Sequence, residues 1–109
     1  MTKVTIFKNR ENNYLAVSCF GHALYADHGS DVVCAGISVL VINTFNSIGT
    51  FTDEQIEIEQ DRKNCILSLK FQKPSGHDGR LLLDSMILGL QEIQKTYGEE
   101  YLTLDFKEV

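Results

Sequence analysis

Proline occurs once in 109 residues and no low-complexity run interrupts the chain, which argues against disorder. Cysteine occurs three times. That is an odd number without disulfide-like spacing, so reduced thiols are expected. Basic residues are outnumbered, ten against fifteen acids for a net charge of −5, and they are scattered. Neutralising phosphates needs clustered Lys and Arg, so direct nucleic-acid binding is not expected. The acidic balance suits a basic partner. No signal peptide is expected, because residues 1–8 are too short and too alternating for an apolar core. The longest uncharged run, 32–52, carries Asn43, Thr44, Asn46, Ser47 and Gly49 in its second half. No membrane span is therefore expected, and the cytoplasm is the expected compartment.

A chain of this length reads as one domain, 1–109, able to bury a core without disulfides or metals. Residues 2–8 alternate and predict a strand. A turn cluster at 9–13 leads to a second strand at 14–21 and a loop at 23–29. Ser30 or Asp31 caps a helix to about Ile48, with Gly49 as the stop. That helix is apolar on nearly every side, which predicts burial all round, by a sheet and by a second helix or subunit. Strands follow at 55–59 and 65–72, then a helix at 78–97 ended by Gly98, then a strand at 100–107. The order β-β-α-β-β-α-β predicts an α+β fold, a mixed sheet with two helices packed on it.

The chemistry gathers in GHALYADHGSDVVCAG, residues 21–36. Cys34 falls in the first turn of its helix, where orphan N–H groups and the positive end of the dipole favour a thiolate. His22 closes the preceding strand beside the flexible Gly21. An imidazole near a thiol can act as general base and then as general acid. First-turn N–H groups, that of Cys34 included, would then serve an oxyanion. Ser38 lies one turn after Cys34, either near the thiolate or bonded to its own backbone. Asp31 is most simply the helix cap, with orientation of His22 as the other reading. Cys19 and Cys65 read as core thiols inside strands, and His28 and His77 as solvated loop residues. A closed zinc site from Cys19, His22, His28 and Cys34 is disfavoured. No Cys-x-x-Cys pair occurs, and Cys19 and His22 on one strand would face opposite ways. No metal and no cofactor are expected.

Gly21-His22-Ala23 followed by Gly29-x-Asp31-Val32-Val33-Cys34-Ala35 and Ser38 resembles the signature of the ribosomal-processing cysteine proteases, the Prp family. The resemblance covers the whole chain, and the loop at 24–28 is this sequence's own. It implies that Cys34 is the nucleophile and His22 the catalytic imidazole, with Gly21, Asp31 and Ser38 in support. It also implies a homodimer that removes the short N-terminal extension of a large-subunit ribosomal protein, cutting after paired aromatic residues. An apolar pocket beside Cys34 is then expected. Two other readings stand beside it. One is a non-enzymatic ribosome-associated module that binds such a peptide. The other is a redox-sensing thiol at Cys34, disfavoured because no resolving cysteine lies near it in sequence.

Overall fold

A computed structural model describes residues 1–22, 26–27 and 31–109. Most of the loop between the second strand and the first helix lies outside these residues. So do His28 and Ser30, the alternative cap.

The elements run β1 (Thr2–Lys8), β2 (Tyr14–Phe20), α1 (Val32–Phe51), β3 (Ile56–Asp61), β4 (Ile66–Phe71), α2 (His77–Tyr97) and β5 (Leu102–Glu108). This is the order the sequence predicts. The sheet is mixed, ordered β3-β4-β2-β1-β5. β1 pairs parallel with β5, and the other pairings are antiparallel. Alternation sends Val4, Ile6, Val17, Leu69, Phe71 and Leu102 into the core. They meet an α1 stripe of Val33, Ile37, Val41, Phe45 and Ile48, spaced at three and four residues. Leu83, Met86, Ile87 and Leu90 of α2 complete the layer. Each fully buried side chain of this kind contributes about 1.5–3 kcal/mol.

Three expectations change. α1 does not stop at Gly49. It runs to Phe51, where Thr52 caps it through its backbone N–H and its hydroxyl, both donating to the Ile48 carbonyl. A glycine inside a helix costs only about 1 kcal/mol, and neighbouring packing outweighs that here. α1 is also not buried all round. By length and composition it could cross a membrane, yet one face packs on the core and Leu40 packs close against Gly89 of α2. Val39 stays 67% exposed and Phe51 79% exposed within the single chain. His77 is not a loop residue. It opens α2, exposed and within 3.2 Å of Asp78.

The start of α2 shows how a helix is capped from afar. Its N-cap, Gly76, has no side chain to offer. Glu54 accepts from the N–H groups of Gly76 and Gly79 at 2.9 Å instead, which suits the positive end of the dipole. Glu54→Ala should lower stability by about 1 kcal/mol, the usual worth of a lost cap. A urea midpoint equal to wild type would show that water replaces the carboxylate without loss.

Candidate active site

β2 ends at Phe20, and Gly21 turns the chain at φ 91°. A side chain is not tolerated there. A Cβ on Gly21 would lie 2.6 Å from the Met1 carbonyl oxygen. The Gly21 N–H donates to the Cys65 carbonyl at 3.0 Å, which ties the end of β2 to the turn that starts β4. The bend brings His22 to the same cavity as Cys19. The opposite-face expectation for these two fails because the strand has ended before His22.

At the start of α1, Asp31 is the N-cap and its Oδ1 accepts from the Cys34 N–H at 2.9 Å. The cap reading of Asp31 is therefore the one the geometry supports. It also corrects the expectation that the Cys34 N–H is free for an oxyanion, since the cap occupies it. The Cys34 sulfur sits 3.8 Å from His22 Nδ1. His22 is exposed and Cys34 half-buried, so both are reachable. Ser38, one turn on, lines the same cavity.

Cys65 is neither in a strand nor in the core. It ends the Asp61–Asn64 turn at φ 56°, half-buried, and β4 begins at Ile66. Its sulfur lies 2.9 Å from His22 Nε2. His22 thus stands between two thiols. The turn is held by Asp61, which accepts from Asn64 through side chain and backbone at 2.7 and 3.1 Å. Those bonds hold the Asp61 carboxyl below its usual range. Sequence reasoning missed Cys65 because the apolar run after it reads as strand. The Asp-Arg-Lys-Asn turn beside it was the available signal.

The cavity has a volume of about 560 Å³ and lies between α1 and the β4–β3 side of the sheet. Val41, Ile42, Ile66 and Leu67 give it apolar walls, and Gln60 and Arg62 sit among its polar residues. A second hollow of about 260 Å³ shares Ile42 and Leu67 and continues to Phe45 and Ile58. Among the described residues, no group of three or more His, Cys, Asp or Glu could hold a metal ion.

Cys19 packs against the core, as expected. Burial, then the nearby Cys34 thiolate, pushes its thiol from 9.0 up to about 11. An unfolded Cys19 releases its proton near 9.0, whereas the folded one keeps it to about 11. Unfolding therefore releases a proton in that window. The stability tied to protonated Cys19 is complete below about pH 9 and is lost as pH rises through about 11. Urea midpoints across this range should fall more steeply for wild type than for Cys19→Ala. Parallel curves would remove Cys19 from the alkaline loss. Gly21→Ala should cost at least about 1–2 kcal/mol, because a Cβ is strained at this φ and meets the Met1 carbonyl. A wild-type melting temperature would contradict that.

A sequence model of the family described as cysteine protease Prp matches residues 1–102. The ribosomal processing cysteine protease Prp of Staphylococcus aureus is 30% identical over 107 residues, covering 98% of this chain and 100% of that one. The Bacillus subtilis protein of the same name is 26% identical over 103 residues, covering 91% and 92%. A crystal structure of the essential S. aureus protease, with a covalently linked product peptide, superposes with a TM-score of 0.91 at 30% identity, covering 98% and 100%. Motif, fold and near end-to-end coverage agree, and this chain belongs to the Prp family of cysteine proteases.

Proposed function

We propose that the chain is a Cys34–His22 endopeptidase that removes the N-terminal extension of a large-subunit ribosomal protein in the cytoplasm, cutting after paired aromatic residues. The observation that carries the reading is the Cys34 sulfur 3.8 Å from His22 Nδ1 at the head of an apolar cavity. The distance is long for a hydrogen bond, and such contacts tighten when substrate binds. The relatives' names assign ribosomal processing to them, and the cavity walls suit aromatic side chains. The exposed Val39 and Leu88 are apolar surface that a homodimer would cover.

The steps follow from the geometry. His22 Nδ1 takes the proton of Cys34. The thiolate attacks the scissile carbonyl carbon, and the carbonyl electrons move to oxygen. As the tetrahedral intermediate collapses, the C–N bond breaks and Nδ1–H protonates the departing amine. A water then gives a proton to Nδ1 and attacks the thioester. Collapse releases the carboxylic acid and returns the proton to Cys34.

The test incubates a synthetic peptide of the extension with wild type, Cys34→Ser and His22→Ala, and reads products by mass spectrometry. One cut after the paired aromatics is expected with wild type and none with Cys34→Ser. His22→Ala should be slower by about a hundredfold or more. Binding to Cys34→Ser without cleavage by wild type would favour the peptide-binding module.

A further inference from the structure

We propose that Cys65 is a positioning residue: its sulfur accepts the Nε2–H of His22 and so fixes the imidazole with its bare nitrogen, Nδ1, toward Cys34. The inference rests on His22 being the catalytic base. A neutral imidazole carries one proton. If Nδ1 is to take the Cys34 proton, the resting proton must sit on Nε2. That nitrogen faces the Cys65 sulfur at 2.9 Å. A ring in a half-open site, on a chain that has just turned through Gly21, needs such an outer partner to hold one orientation. In other cysteine and serine hydrolases an Asn or Asp fills this place.

The backbone adds an independent reason. Cys65 sits at φ 56°, a region that favours Gly or Asn and strains other side chains. A side chain held there is a mark of use. The carbonyl of the same residue accepts from Gly21 at 3.0 Å. Cys65 therefore fixes His22 twice, through the backbone next to it and through the ring. The carbonyl bond survives any side-chain change, so the sulfur can be tested alone.

Cys65→Gly suits the backbone and removes the sulfur. Cys65→Asn also suits it and offers an amide oxygen to Nε2–H. Cys65→Gly should melt no lower than wild type, yet its kcat on the extension peptide should fall by about tenfold or more, part of the 10²–10⁴ that a positioned base supplies. KM should stay within about twofold, because no substrate contact is lost. Cys65→Asn should restore kcat to within a few-fold. Nitrogen-15 spectra, with His22 assigned by comparison with His22→Gln, should show the Nε2–H tautomer in wild type and a mixture in Cys65→Gly. A folded Cys65→Gly with wild-type kcat would overturn the proposal, and so would the Nδ1–H tautomer in wild type. If wild type leaves the peptide uncut, the endopeptidase reading fails, and the tautomer spectra still decide what Cys65 does to His22.

Discussion

One backbone hydrogen bond sets the geometry of the site, the Gly21 N–H to the Cys65 carbonyl. Without it, β2 would end at the sheet border and His22 would be one more residue of a loop. With it, the chain leaves the strand at a fixed place, and the imidazole lands between Cys34 and Cys65. The bond requires a residue that turns at φ 91° with no room for a Cβ. Glycine meets both demands, and the sheet supplies the rest. β2 and β4 are neighbours, paired from Ala16–Lys70 to Phe20–Ile66, so the next positions, 21 and 65, face each other.

The nucleophile is fixed by a different route. α1 is anchored along its length by Val33, Ile37, Val41, Phe45 and Ile48. Its first turn is closed by Asp31 on the Cys34 N–H. Cys34 lies next to the first of the core residues, so its sulfur borrows the rigidity of the core while remaining half open. The imidazole rests on the end of a strand, the thiol on the start of a buried helix. The loop that joins them in sequence is not what aligns them.

Much of this was legible in the sequence because the signals are local. Alternation marked the strands, Asp31 marked the cap, and the Gly-His and Asp-Val-Val-Cys pieces marked the two reactive side chains. What was not legible is what depends on pairing between distant segments. Nothing near Leu102 says that β5 joins β1 in parallel. Cys65 precedes Ile66-Leu67-Ser68-Leu69, so its alternation reads as strand. Only the β2–β4 register and a positive φ turn its sulfur toward His22. Gly49 looked like a stop because glycine often is one. Whether it stops a helix is decided by packing further along, and here the helix runs on to Phe51.

The cap on Cys34 also constrains the chemistry. In many hydrolases the N–H of the nucleophile serves the oxyanion. Here that N–H already donates to a carboxylate at 2.9 Å. An anion forming at the scissile oxygen must displace Asp31 from it or draw on other first-turn amides. Displacement would exchange one negative acceptor for another, so the helix terminus stays satisfied and the cost is that of moving Asp31. The carboxylate near the thiol is thus compatible with turnover only if it moves as charge builds on the substrate. In the resting state it holds the helix start in place.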